Sequence, residues 1–328
     1  MKSASNKYGV DSGFYHSVFV NTSNQCYSVG YNGNYRLGLG DTTQRYDLTY
    51  ISGISSVKAI ACGGEFTLFL KTDGTVYAVG RNANGQLGQS NTSDLSAITK
   101  ISSLSNISSI ACGAYNSFFI STSGALFCCG QSNYGQLGIG SSSNAYTSVA
   151  TSSLTNVKDV CCCNNHTLFL LNNGKVYSSG YNNYGQLGLN STSTVYTATL
   201  IPYLTDIIQI ACGEYHSLFL KSDGTVYGAG YNGDGQLGNL SNDNRTVPLL
   251  IENLTNVKFI ASGYRHSVFI KNDNTAWICG QNGYGQGGVS EKVSHYAPTK
   301  VNSLHSIIGA VCSHYQTFFV ESSNYSTF

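Results

Sequence analysis

Seven positions spaced 50 residues apart hold His16, Phe66, Asn116, His166, His216, His266 and Gln316. Four imidazoles gathered into one ring could bind an anion, a metal or a protein partner, because histidine donates, accepts or ligates. The alternative is structural: each imidazole hydrogen-bonds the backbone of its own unit, and the type recurs because the unit recurs. The residue before each of these varies more: Tyr15, Glu65, Tyr115, Asn165, Tyr215, Arg265 and Tyr315. Variation on a repeated scaffold is where specificity usually lies, and Tyr and Arg are favoured interface anchors. The expected partner-binding face is therefore Tyr15, His16, Glu65, Tyr115, Asn116, His166, Tyr215, His216, Arg265, His266, Tyr315 and Gln316.

Other chemistry finds less support. Cys62, Cys112, Cys162, Cys212 and Cys312 share one repeat position, with Ser12 and Ser262 in the remaining two. That pattern asks for a small residue, and a free thiol behaves as a small buried hydrophobe. No Cys pair with histidine at zinc spacing is present, so no metal is expected. Gly233–Gly238 and Gly283–Gly288 fit G-x-G-x-x-G, but polar loop and strand follow where a dinucleotide site needs a helix. No nucleophile elbow, no oriented Cys/His pair and no paired carboxylates stand out. Asp73, Asp223 and Asp273 fall in hairpin turns. The expectation is no catalytic residue, no cofactor and no enzyme.

Composition narrows the partners. Only 10% of the 328 residues are charged, against about 25% in ordinary domains, and 17 basic and 16 acidic residues leave a net charge of +1. There is no Lys/Arg run and no basic arm at the start, so direct nucleic-acid binding is not expected. The first residues lack an apolar signal core, and no stretch reaches the roughly 18 apolar residues of a membrane span. These features predict a soluble intracellular protein, cytoplasmic or nuclear, with cytoskeletal association left open. The 11 cysteines are odd in number and often adjacent, as in Cys161–Cys163. Reduced thiols are the expectation.

The elements that must position these residues follow from the same period. A Gly-rich loop recurs as YNGNYRLGLG, RNANGQLGQS, QSNYGQLGIG, YNNYGQLGLN, YNGDGQLGNL and QNGYGQGGVS, each 50 residues after the last. Such a period marks a repeat architecture. In the unit from Ile207, IIQIACG and EYHSLFLK read as strands, Ser222-Asp223-Gly224 as a tight turn, TVYGAG as a third strand and VPLLIENL as a fourth. The phenylalanine of the second strand recurs seven times, from Phe19 to Phe319, and is expected to fill the space between units. In the loop, the leucine should plug inward while Asn and Gln satisfy backbone groups. Four antiparallel strands per unit predict an all-β propeller spanning 1–328 as one domain. First and second strands occur seven times, counting a degenerate start at Tyr8 to Gly13, and third and fourth strands six times. Seven blades with one incomplete are expected, six being the alternative. The open edge of the short blade needs a terminus or a partner to cover it. The loop copies that depart from the rest, at Tyr35-Arg36 and Gly287, are expected near the seam.

The unit G-x-x-H-S/T followed by three apolar residues, D-G-x-V-Y-x-x-G and then N-x-x-G-Q-L-G resembles the regulator of chromosome condensation repeat, across essentially the whole chain. The resemblance implies a propeller, usually seven-bladed, used for several purposes. One is nucleotide exchange on the Ran GTPase, which docks on the face carrying the varied residues above. That exchange factor adds a β-wedge insertion and a basic tail. Neither fits a period held at 50 and a start whose only basic residues are Lys2 and Lys7. The photoreceptor member needs clustered tryptophans, and Trp277 is the only one here. The secreted β-lactamase inhibitor of the family has a signal peptide, which the start does not show. The expected function is a non-enzymatic protein-interaction scaffold, or a subunit of a larger assembly. The alternative is a guanine nucleotide exchange factor for a Ran-like small GTPase.

Overall fold

A computed structural model describes residues 9–322. Its 26 strands fall into seven antiparallel sheets, with no α-helix among the described residues. In one unit, Ile207–Cys212, His216–Lys221, Val226–Gly230 and Arg245–Leu250 form a meander in that spatial order. His216 faces Gly230, and Phe219 lies between Ile210 and Tyr227. The turn is fixed by Asp223, whose Oδ1 accepts Thr225 N at 2.9 Å, and by Gly224 at φ 81°. The outer strand begins at Arg245 and stops at Leu250. Ile251–Leu254 was expected to continue it but forms the connector, because Asn253 and Asn256 adopt positive φ (60° and 59°) and turn the chain inward.

Each third strand ends in a glycine held at φ between 95° and 116° (Gly30, Gly80, Gly130, Gly180, Gly230, Gly280). A Cβ on Gly180 would sit 2.3 Å from Asn165 O. Only glycine tolerates both the dihedral and the approach.

The second strand is buried on both faces because it lies between neighbouring blades. Phe219 packs with Leu168, Leu170 and Val176 of the preceding blade, and Phe69, Phe119, Phe169 and Phe269 are equally buried. The recurring phenylalanine does fill the inter-blade space, each burial worth about 2–3 kcal/mol. Phe19 and Phe319 are only half-buried.

First strands pack in succession around the axis. Val10–Ser12 closes the ring against Ile307–Cys312, giving seven places rather than six. Six sheets have four strands. The seventh has two, Ile307–Cys312 and Thr317–Glu321. The degenerate start is the short strand Val10–Ser12, and Tyr8 lies outside the described residues.

Candidate partner-binding face

The recurring histidines do not reach the surface. His16, His166, His216 and His266 are at most 3% exposed, and Asn116 is fully buried. Each imidazole Nε2 meets a hydroxyl of the next blade: His16 with Thr67 at 3.1 Å, His166 with Ser217 at 3.1 Å, His216 with Ser267 at 3.0 Å and His266 with Thr317 at 2.9 Å. Thr67, Ser217 and Ser267 also donate to a loop carbonyl of the histidine's own blade, at Arg36, Gln186 and Gln236, each 2.7 Å away. A hydroxyl has one proton. With that proton given to the carbonyl, it must accept from the ring, so the imidazole carries Nε2–H. This corrects both readings of the histidines. They neither form an open ring of ligands nor bond their own blade's backbone; they staple each blade to the next. Burial holds His216 and His266 neutral, their pKa pushed down to about 3. Asn116 is part of a similar cross-blade contact, its Oδ1 accepting from Cys162 Sγ at 3.2 Å. Of the twelve expected face residues, His16, Asn116, His166, His216 and His266 are thus withdrawn from direct contact. Gln316 is exposed, unlike its equivalents.

The flanking residues do lie on one face, built from the loop between first and second strands and the Gly-rich loop. Tyr15 is 72% and Tyr315 46% exposed; Glu65, Tyr115, Tyr215 and Arg265 are half-buried. The Gly-rich loops that frame them are rigid by construction. Asn182 Oδ1 accepts Leu187 N at 2.9 Å, Gln186 Oε1 accepts Tyr184 N at 3.1 Å, and Leu187 is fully buried. This is the division of labour expected for leucine, Asn and Gln. In the first loop Arg36 replaces the glutamine. It is buried, donates to Asn34 Oδ1 at 2.8 Å and Glu65 Oε1 at 3.1 Å, and lies 5.0 Å from the Tyr31 ring. Arg81 also pairs with Glu65. Arg36 therefore bridges the first and second blades and is not at the seam. Gly287, on the loop facing the short blade, is.

Two further sets of side chains complete the face. The residues one place earlier, including Phe14, Gly64, Glu214, Tyr264 and His314, surround the axis. Phe14 N donates to Gly64 O at 3.2 Å and Glu214 N to Tyr264 O at 2.9 Å, so backbone bonds link neighbouring blades there. His314 stacks on Tyr264 at 4.4 Å and meets Phe14 edge-on at 4.5 Å. The loop tyrosines form the second set. Tyr134, Tyr181, Tyr184, Tyr215 and Tyr231 follow one another at centroid spacings of 5.0–6.4 Å. Arg265 joins the two sets, its guanidinium 5.6 Å from the Tyr231 ring and 5.8 Å from the Tyr264 ring. It sits 3.7 Å from Glu214 and 3.6 Å from Asp234. Burial pushes the Glu214 carboxyl above its usual range, opposed by hydrogen bonds from Tyr264 and Tyr215 and by Arg265. Burial, together with Glu214, raises the Tyr215 and Tyr264 hydroxyls, so both remain donors. The sequence signal for these residues was the one that marked Tyr15: variation at a fixed repeat position.

The RCC1-like domain matches residues 55–252, and the regulator of chromosome condensation (RCC1) repeat matches residues 23–70 and 257–286. The chain belongs to the RCC1-like domain family. No curated protein matches it in sequence. Among solved structures, this RCC1-like propeller resembles human WBSCR16 with a TM-score of 0.85 and 20% identity, over 95% of this chain and 86% of that one. It resembles Saccharomyces cerevisiae Prp20p, described with its binding to Gsp1p and histones, with a TM-score of 0.84 and 21% identity, over 97% and 83%. It also resembles yeast RCC1 (Prp20) bound by Kap60, with a TM-score of 0.83 and 21% identity, over 97% and 81%. At these identities the likeness is one of fold. Among the described residues no helix is long and apolar enough to cross a membrane.

Proposed function

We propose that this chain is a non-enzymatic protein-binding propeller whose partner docks on the tyrosine-rich loop face. The observation that carries the reading is the run of half-exposed tyrosines from Tyr134 to Tyr231, continued through Arg265 to Tyr264, His314 and Tyr315. Rigid aromatic side chains with one charged anchor lose little entropy on binding and dominate interface energetics. Tyr15, Glu65, Tyr115 and Gln316 extend the same surface. Arg265 fixes polarity, since Glu214 and Asp234 leave this cluster with a net negative balance that favours a basic or donor-rich patch on the partner.

The test compares proteins retained by the full chain and by its Tyr184→Ala and Arg265→Ala variants, with affinity for the captured partner then measured directly. Each substitution should weaken binding about 30-fold, the effect of roughly 2 kcal/mol at a hot spot. Unchanged affinity in both variants would exclude this face.

A second reading is exchange activity on a small GTPase, supported by the likeness to Prp20p and its binding to Gsp1p. A nucleotide-release assay with Ran-like GTPases separates the two: accelerated release establishes an exchange factor and replaces the scaffold reading.

A further inference from the structure

The fifth blade departs from the repeat where it meets solvent. Its outer strand, Arg245–Leu250, exposes Val247 and Leu249 on the side whose Leu218 and Val226 pack with Phe269 of the sixth blade. The five other outer strands hold Thr, Ala, Asp or a single Val at these two positions, as with Thr197 and Thr199. The loop above departs as well. In four other loops an apolar residue comes first and packs inward, as Leu189 does before Asn190. Here the order is reversed: Asn239 turns in to accept from Asn232 Nδ2 at 2.8 Å, and Leu240 is 72% exposed at φ 61°. That dihedral suits the equivalent Gly40, Gly140 and Asn190 but strains a leucine. Leu240 N donates to Tyr296 O at 2.9 Å, which sets its side chain on the rim between the fifth and sixth blades. On the other flank Tyr203 is 97% exposed at φ 66°, where the other connectors carry Gly, Ser or Asn. The contact of the equivalent Ser103 with Ser148, at 2.7 Å, places Tyr203 beside Pro248.

Exposed apolar side chains on strained backbone add nothing to the packing of the blade; strain of this kind clusters where another molecule binds. Two features choose the occupant. Pro248 sits within the outer strand and has no N–H, so this edge does not take an added strand and the contact is made by side chains. The charge on the rim is one acid and one base. Arg245 lies 3.9 Å from exposed Asp243 and its Nε makes no hydrogen bond, whereas the equivalent Arg45 is held by Asp41 at 2.6 Å. An acid and a base side by side at an apolar centre are complementary to the same patch turned about a two-fold axis. We infer that this rim is an isologous contact with a second copy of the chain, Val247 and Leu249 meeting their counterparts and each Arg245 meeting Asp243 of the other copy. So few side chains cover less than the roughly 800 Å² per partner of a standard interface, so the dimer is weak, with a Kd of about 10–100 µM.

The test is sedimentation equilibrium of the full chain at concentrations spanning that Kd. Leu240→Asn and Leu249→Thr install residue types that the fourth blade carries at the same positions, Asn190 and Thr199, so the fold is kept. Each should weaken dimerisation about tenfold or more. Arg245→Asp and Asp243→Arg should each abolish self-association, because like charges then face each other across the axis. An equimolar mixture of these two variants should restore it, since every pair across the axis is again opposite in sign. Tyr184→Ala should dimerise normally, keeping this rim separate from the loop face. A chain that stays monomeric throughout leaves the rim to a different partner and overturns the inference. So do Leu240→Asn and Leu249→Thr variants that dimerise as before, a charge-swapped mixture no more associated than its components, or a dimer lost in Tyr184→Ala.

Discussion

Two adjacent residues show how the repeat divides its labour. Tyr215 stands on the loop face; His216 is buried and joins two blades through Ser267. The histidines were legible as a recurring set, but their partners were not, because a contact 51 residues away cannot be read from spacing within one unit. The hydroxyls at Thr67, Ser217 and Ser267 carry the latch, since each is fixed by a ring on one side and a carbonyl on the other. Ser217→Ala leaves both His166 Nε2–H and Gln186 O without this partner in a buried site. Unsatisfied buried groups cost about 1–3 kcal/mol each, so a loss of about 2–4 kcal/mol is expected in urea unfolding. A loss below 0.5 kcal/mol would mean that the hydroxyl is not the latch.

At the scale of the element, backbone geometry decides more than side-chain chemistry. The third strand must end in glycine, because the chain turns there at positive φ against the start of the second strand. Gly180→Ala brings Cβ to 2.3 Å from Asn165 O. Neither a rotamer change nor a neighbouring side chain can relieve a clash with backbone. A destabilisation of about 3 kcal/mol or more is expected, at the upper end of single substitutions; calorimetric unfolding with an unchanged midpoint would contradict it. The fourth strand was the least legible element. Its apolar run continues past Leu250 to Ile251 in sequence, and the chain leaves the sheet there for a connector shaped by Asn253 and Asn256 at positive φ.

The whole ring has an acid sensitivity that no single blade shows. An unfolded imidazole titrates near 6.5, whereas His216 and His266 remain neutral in the fold down to about 3. Between these values the unfolded chain binds more protons, so stability falls as pH drops through the window and is complete above it. At pH 5 each histidine costs about 2 kcal/mol. The turn carboxylates Asp73, Asp223 and Asp273, whose pKa is lowered by bonds to the neighbouring threonines, begin to lose their contribution only as pH falls through the ordinary aspartate value near 4, at the acid end of this window. Urea midpoints at pH 7.5 and pH 5 test the point: a marked drop is expected, reduced in His266→Gln, and equal midpoints would refute it. By itself the sequence determined the blade and its period, because each unit repeats the same local alternation, turn and phenylalanine, while the closure of Val10–Ser12 against Ile307–Cys312 decided between seven places and six. The sequence also marked Tyr15, Tyr115, Tyr215, Arg265 and Tyr315 as varied positions. Only the tertiary structure decided which of these face outward, how Arg265 meets Glu214 and Asp234, and that the histidines are staples. Those facts depend on how one blade meets the next, and contacts between units leave no spacing within a unit to read.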